Sequence, residues 1–465
     1  MGLPLRAICL LCVVLSPVLI PGCSALPNTV EDERQEDPTI EIDDRPKLLF
    51  ILLDGFRWDY VEKQRPEDLP GFTRLLKEGV RAKWTQPVFP TMSFPAWTTL
   101  YTGLYAENHG IVGSSFYDPE TKDIFTISDV ETTANPKWWT SEPIWTTAER
   151  AGLKTAQYLV SRCDVSYDNI LTHHCEPYTR DPRRDIFLKN AMKALEKFDQ
   201  GYNFVQVFTS RIDDVGHTHG PGSKEVQDAV RSVDNVIDIL LDELEERELT
   251  DKVNIIVVSD HGMADTSEEA VKRHEIDTYL DPAHVENIAE YGAFMNIKAT
   301  EGNAEKVFDA LKSIPGISVY KKEDIPKTLR YKNGKFVSDV ILIAEAGNYI
   351  MPSTTDQQIP KASRKIIMGS HGYNTDVQTM RGIFFARGPA FVEGSVIERI
   401  HMVDVYQVLT NVLEIVPNPN NGTWDRVEFA FKSSYRHPKQ SNGASTSILA
   451  TLSLSLLTLA LTRFI

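Results

Sequence analysis

An α/β fold, with a mostly parallel central sheet flanked by helices, is what this sequence predicts, and three observations predict it. Residues 47–53, 203–209 and 253–259 are apolar runs of strand length, as expected of strands buried on both faces. Helical periodicity fills the intervals, at 186–198 and 224–247. Asp54 and Asp260 end the first and third runs, and Asp213 lies just past the second. Three carboxylates therefore meet outside the carboxyl ends of the strands, where open α/β sheets bind ligands. One Asp after a strand is ordinarily a helix cap; three from distant parts of the chain ask for more.

The elements follow in order from the N-terminus. Arg6 precedes an apolar run at 7–20, Pro21 and Gly22 break it, and Cys23-Ser24-Ala25 offers a small-residue cleavage site. Residues 1–25 read as a signal peptide; a spanning anchor fits less well, because the run is short and Pro17 interrupts it. Residues 26–45 are acidic and aperiodic, a flexible leader. A folded domain is expected over 46–430, with a late strand at 382–387 and a helix at 402–415. Residues 431–447 form a stalk with a GPI attachment region, and 448–465 are a hydrophobic tail interrupted only by Arg463. That pattern fits replacement by a GPI anchor at Asn442 or Ser441, a short spanning helix being the alternative. The expected location is the extracellular face of the plasma membrane.

Once the signal peptide leaves, Cys163 and Cys175 remain, an even pair in an exported protein and so an expected disulfide. Asn421-Gly422-Thr423 is the sole glycosylation sequon. The net charge of −16, without a basic patch, excludes nucleic acid as a broad electrostatic partner. Small phosphates remain open if metal ions supply local positive charge.

Metal-binding residue types recur at the predicted strand ends. His217 follows Asp213 by four residues, His261 follows Asp260 directly, and His371 lies in Gly369-Ser370-His371. Carboxylate oxygen mixed with imidazole nitrogen suits zinc, and the absence of thiolates argues against a zinc finger. A lone histidine is more often a core or capping residue. Of 11 histidines, however, these three sit beside Asp or Gly at expected strand-to-loop junctions. His109, His173, His174, His219 and His401 read as structural or supporting residues. Ser93 is expected to cap a helix, with Pro95 in its first turn and Gly103 ending it. A helix N-terminus stabilises an anion there. Ser93 either caps only, or, if zinc reaches its hydroxyl, attacks phosphorus.

These residues resemble the ectonucleotide pyrophosphatase/phosphodiesterases of the alkaline phosphatase superfamily. The resemblance spans about residues 47–421. It rests on Leu53-Asp54-Gly55-Phe56-Arg57, the loop at 91–95, and the stretches 102–110, 142–145 and 213–217. Ser259-Asp260-His261-Gly262-Met263, Ser370-His371-Gly372-Tyr373, Arg387-Gly388-Pro389 and 419–423 complete it. It implies an alkaline-phosphatase-like fold and two zinc ions per subunit. One would be held by Asp213, His217 and His371, the other by Asp54, Asp260, His261 and the Ser93 oxygen. It implies double displacement through a covalent Ser93 phospho-intermediate. Most of that family carries Thr where this chain has Ser93, and Asn where it has Ser114, which would contact a phosphate oxygen. Phe94 is expected to stack on a base, or on a quaternary ammonium, or else to pack under the helix. The favoured substrates are nucleotides such as ATP, ADP or NAD. Ser93, Arg211, the cysteine loop and the GPI-like tail resemble a choline-phosphodiester branch, acting on glycerophosphocholine or lysophospholipids. A catalytically silent surface binding module is the alternative of another class.

Overall fold

The computed structural model describes residues 45–351 and 367–435. The signal peptide, all of the leader but Arg45, Asn442 and the hydrophobic tail lie outside them. Among the described residues no helix is long and apolar enough to cross a membrane.

The centre is an eight-stranded sheet. In chain order its strands are β1 (Lys47–Leu53), β2 (Gly79–Gln86), β3 (Thr155–Val160), β4 (His174–Pro177), β5 (Phe204–Thr209) and β6 (Val253–Val258). Four strands of a smaller antiparallel sheet follow, β7 (Val285–Ala289), β8 (Phe294–Ala299), β9 (Ile317–Lys321) and β10 (Val340–Ala344). The chain then returns to the large sheet as β11 (Phe384–Arg387) and β12 (Ser395–His401). The spatial order of the large sheet is β12-β2-β11-β6-β1-β5-β3-β4. Every neighbouring pair is parallel except those made by β11, which runs antiparallel to both β2 and β6.

β1 explains its own composition. Leu48, Phe50 and Leu52 enter one core, and Leu49, Ile51 and Leu53 enter another, so both faces of the strand are dry. On the second face lie α1 (Pro70–Glu78), α4 (Arg184–Asp199) and α6 (Lys224–Glu246), which contribute Phe72, Ala191 and Val230. On the first lie α2 (Ser93–Thr102), α3 (Ile144–Arg150) and α8 (Met402–Val412), which contribute Trp97, Trp145 and Val405. The smaller sheet has its own core, joined by Val307 and Leu311 of α7 (Ala304–Leu311). Burial on both sheet faces outweighs the price of ordering each strand, at about 25 cal/mol per Å² of apolar surface.

Two expectations need correction. The folded body does not stop at 430. Phe431 pairs with Phe391, and Lys432 N–H bonds to Ala390, so the start of the expected stalk is part of the packed structure. His217 does not lie at a strand-to-loop junction either. It sits on a short helix, α5 (Arg211–His219), which begins directly after β5.

Candidate active site

The carboxyl ends of β1, β5 and β6 deliver Asp54, Asp213 and Asp260 to one edge of the sheet. Asp54 follows β1 and Asp260 follows β6, while Asp213 occupies the first turn of α5 after β5. Gly55 lets these strand ends approach. It has a left-handed φ of 67°, and a Cβ there would lie 2.8 Å from the Cα of Asp213. Its N–H donates to Asp260 Oδ1 at 3.0 Å.

Two groups of side chains result. Asp54, Asp260 and His261 form one, and Asp213, His217 and His371 form the other. Within each, the donor atoms lie within 4.8 Å of one another. His261 Nε2 is 3.5 Å from Asp54 Oδ1 and 3.4 Å from Asp260 Oδ2. Asp213 Oδ1 is 3.3 Å from His217 Nε2 and 3.6 Å from His371 Nε2. The rings of His261 and His371 stack at 3.6 Å, which sets the two groups side by side.

The histidines are aimed by the backbone. Nδ1 of His217 donates to the Gly369 carbonyl at 2.7 Å, Nδ1 of His261 to Gly262 at 2.8 Å, and Nδ1 of His371 to Thr91 at 3.0 Å. A carbonyl only accepts, so each Nδ1 carries a proton, and in the neutral ring Nε2 presents a lone pair to the site. Burial holds His261 at about 4, and burial with the neighbouring His261 holds His371 at about 3. Both rings are therefore neutral at pH 7. Burial lifts the Asp54 carboxyl well above its usual range, and the Asp260 and Asp213 charges add to it. Burial also raises Asp260. Burial pulls His217 down, but the Asp213 charge outweighs it and raises the ring.

These residues fit a metal. Asp54 Oδ1 and Asp213 Oδ1 are buried and have no hydrogen-bond partner. Lone pairs face lone pairs across each group, an arrangement that costs free energy unless a cation lies between them. The donor set of carboxylate oxygen and imidazole nitrogen is one that zinc accepts.

Ser93 lies beside the Asp54 group, with its Oγ 3.1 Å from His261 Nε2. It does not cap its helix. Met92 occupies the N-cap position, in extended conformation, and Ser93 is the first residue of α2. Ser93 is thus buried with its hydroxyl turned to the site, while the first-turn N–H groups supply partial positive charge beside it. Gly103 ends the helix in the left-handed region, as its sequence position suggests.

Phe94 departs from its expected role as a stacking platform. It is 1% exposed and is enclosed by Trp97, Phe125, Trp139 and Tyr178. No ring face remains open, because α2 turns it into the core. Tyr178, by contrast, is partly exposed, and its hydroxyl is pushed up by burial and by the charges of Asp54 and Asp213. Ser114 is partly exposed and its hydroxyl bonds to none of the site groups; its carbonyl accepts from Ile127 N–H at 3.0 Å. Cys163 and Cys175 are joined as a disulfide. Asn421 holds Tyr105 N–H through its side-chain oxygen at 3.0 Å.

Other supporting residues escape sequence reasoning. Trp97 Nε1 donates to Asp260 Oδ2 at 2.6 Å. The Thr91 hydroxyl donates to the Tyr373 carbonyl and accepts from Gly372 N–H, at 2.8 and 3.0 Å, binding the Ser93 loop to the His371 loop. Apolar context hides the first, and sequence separation the second. His109, which the sequence reads as a structural or supporting residue, is a buried neutral ring, held at about 3 by burial, that links Thr99 to Ile111 N–H.

Comparison with known proteins adds to this geometry. The family described as Type I phosphodiesterase / nucleotide pyrophosphatase matches residues 48–374. Ectonucleotide pyrophosphatase/phosphodiesterase family member 7 of Mus musculus is 32% identical over 386 residues, 81% of this chain and 85% of its own. Bis(5'-adenosyl)-triphosphatase of Xenopus laevis is 31% identical over 391 residues, 83% of this chain and 82% of its own. The solved structure of human ectonucleotide pyrophosphatase/phosphodiesterase 5 superposes with a TM-score of 0.76 at 32% identity, covering 83% of this chain and 100% of that one. The murine counterpart, an inactive variant in complex with AMP, matches with the same values.

Proposed function

Since this chain belongs to the type I phosphodiesterase / nucleotide pyrophosphatase family, we propose that it is a two-zinc hydrolase of extracellular nucleotides that works through a covalent Ser93 intermediate. The observation that carries the proposal is the pair of ligand groups flanking Ser93 Oγ. Asp54, Asp260, His261 and the Ser93 oxygen would hold one zinc, and Asp213, His217 and His371 the other. When bound, the ions would supply Lewis-acid stabilisation of charge on the phosphoryl and nucleophile oxygens.

The chain's own part is alignment. Ser93 Oγ attacks phosphorus, the bond to the leaving oxygen breaks, and that oxygen departs with the electron pair. Water then attacks the phosphorus esterified to Ser93, the P–Oγ bond breaks, and Oγ regains a proton as the phosphate monoester leaves. The helix N-terminus faces the charge that builds on the phosphoryl oxygens. Trp97, Gly55 N–H and His261 N–H fix the Asp260 carboxylate, and Thr91 fixes the ring of His371.

Nucleotides are the substrate class we favour because the murine relative binds AMP and the Xenopus relative is named for a dinucleoside triphosphate. The enclosed ring of Phe94 removes one expected contact from the nucleotide and the choline readings alike. A disulfide and a signal-peptide-like start favour export to the cell surface. The test is hydrolysis of p-nitrophenyl thymidine monophosphate against p-nitrophenyl phosphorylcholine by the zinc-loaded protein. Faster cleavage of the nucleotide ester is expected. Faster cleavage of the choline ester would replace the substrate class, and no cleavage of either would leave a binding module.

A further inference from the structure

The segment between β4 and α4 crosses the edge of the sheet where the candidate ligands gather, and it is fastened at two points. At one, the Tyr178 ring packs on Trp97, Phe208 and Phe94, with centroids 5.1, 5.5 and 5.8 Å apart. At the other, Arg211 Nη1 at the start of α5 donates to the Pro182 carbonyl at 3.1 Å. Arg180 lies between these two points.

Arg180 is held at the rim of the Asp213 group. Its Nε donates to Asp214 Oδ1, and Asp214 is itself held by the Ser210 hydroxyl at 2.7 Å. Its Nη2 stands 3.8 Å from Asp213 Oδ2, an ion-pair distance too long for a hydrogen bond. Among the described residues neither terminal nitrogen makes a hydrogen bond. The side chain is 56% exposed, so it is open to solvent at the rim of the Asp213 group.

This placement matters chemically. A guanidinium is a rigid fork of N–H donors that stays charged and matches two oxygens of a phosphate. Asp214 takes one donor and orients the rest. Once Asp213 binds a cation, its negative charge is satisfied there, and the outward side of Arg180 is left as a positive surface at the rim. No other arginine or lysine makes a salt bridge with Asp213 or with Asp214 among the described residues.

We propose that Arg180 receives a second, unattacked phosphate of the substrate, and so biases this chain toward pyrophosphate bonds of nucleoside di- and triphosphates and against choline esters. The proposal rests on the hydrolase reading above and sharpens its substrate class. An anion beside the attacked phosphorus gains a charge-assisted fork, while a quaternary ammonium in the same place meets a like charge. Arg180 is thus a substrate-contacting specificity residue, and the chemistry at Ser93 does not pass through it.

The experiment compares the wild-type protein with Arg180→Ala, Arg180→Lys and Arg180→Glu on ADP, p-nitrophenyl thymidine monophosphate and p-nitrophenyl phosphorylcholine. The readout is the ratio of kcat/KM between substrates, which cancels losses common to all. In Arg180→Ala the ratio of ADP to the thymidine ester should fall roughly tenfold, the scale of one partly exposed charge-assisted hydrogen bond. Arg180→Lys should restore part of it. Arg180→Glu should lower it further and raise the share of the choline ester. Ratios within about twofold of wild type in both Arg180→Ala and Arg180→Glu overturn the proposal alone and leave Arg180 as a partner of Asp214. A wild-type protein that cleaves none of the three overturns the hydrolase reading and this inference with it.

Discussion

Trp97→Phe should weaken zinc binding at the Asp54 group while keeping most of the packing. Asp260 Oδ1 accepts two backbone N–H groups, from Gly55 and His261, whereas Oδ2 accepts one donor, the indole of Trp97 at 2.6 Å. Phenylalanine keeps an aromatic ring beside Phe94, Tyr178 and Phe208 but removes that donor. A hydrogen bond to a buried charged group contributes about 1.5–3 kcal/mol, which is about 10- to 150-fold in an equilibrium constant. Loss of a supporting hydrogen bond commonly costs about 10–100-fold in metal affinity, so the two estimates overlap. The assay is activity against free zinc in a buffered titration, with the melting temperature of the metal-free protein measured alongside to separate lost packing from lost affinity. If Trp97→Phe binds zinc within about twofold of wild type, Asp260 does not depend on the indole and the reasoning fails.

Ser93→Ala should abolish turnover with zinc content retained; residual turnover at the wild-type rate would remove Ser93 from the chemistry. Asp260→Asn should lower both zinc content and rate, and unchanged zinc by elemental analysis would sink its ligand role. Asp234 is buried in α6 and accepts from Gly71 N–H and Phe72 N–H at the start of α1, at 3.2 and 2.7 Å. Burial raises its carboxyl from 3.8 to about 6, so the folded state holds the proton more tightly than the unfolded chain. That stability is fully present below about pH 4 and is lost as pH rises through about 6, a change of about 3 kcal/mol. The difference in urea stability between wild type and Asp234→Asn should therefore grow in favour of the variant over that window; a flat difference would contradict the burial argument. Replacing Cys163 and Cys175 together by serine opens a loop with a sequence separation of 12 and should cost about 3 kcal/mol in denaturant unfolding.

The strands that carry the site were legible because they are buried on both faces and leave a plain apolar signal. β1 and β6 end where the runs ending in Asp54 and Asp260 suggest. The long periodic helix α6 was equally legible. β2 was not: its residues alternate between buried and half-exposed, and Arg81, Lys83 and Thr85 dilute the pattern. In the smaller sheet, β7 and β9 are short and of mixed polarity and leave no clear signal, whereas β10 is a short apolar run, Val340–Ala344, that the sequence reading passed over. Short charged α5 gave no periodic stripe, yet it sets Asp213 and His217 on one face by their spacing alone. The candidate ligands could be chosen from residue type beside strand ends. The part played by Trp97, by Thr91 and by Arg180 depends on contacts across long stretches of chain, which no local pattern encodes. Ser93 shows the limit of local rules, since one residue decides between capping a helix and presenting a hydroxyl.

Thr91 and His371 stand 280 residues apart in the chain yet are joined by a hydrogen bond. Synthesis therefore makes the Ser93 loop long before the loop that anchors it. β1, β3 and β5 can pair while the ribosome is still extending the chain, but Ser93 waits for the segment around Gly372 to arrive. A nascent chain that halts inside the smaller sheet would carry the serine and five of the six candidate ligands without the clasp that closes the site. Assembly of the candidate site is in this sense a property of completion, gained when a part made late returns to one of the first.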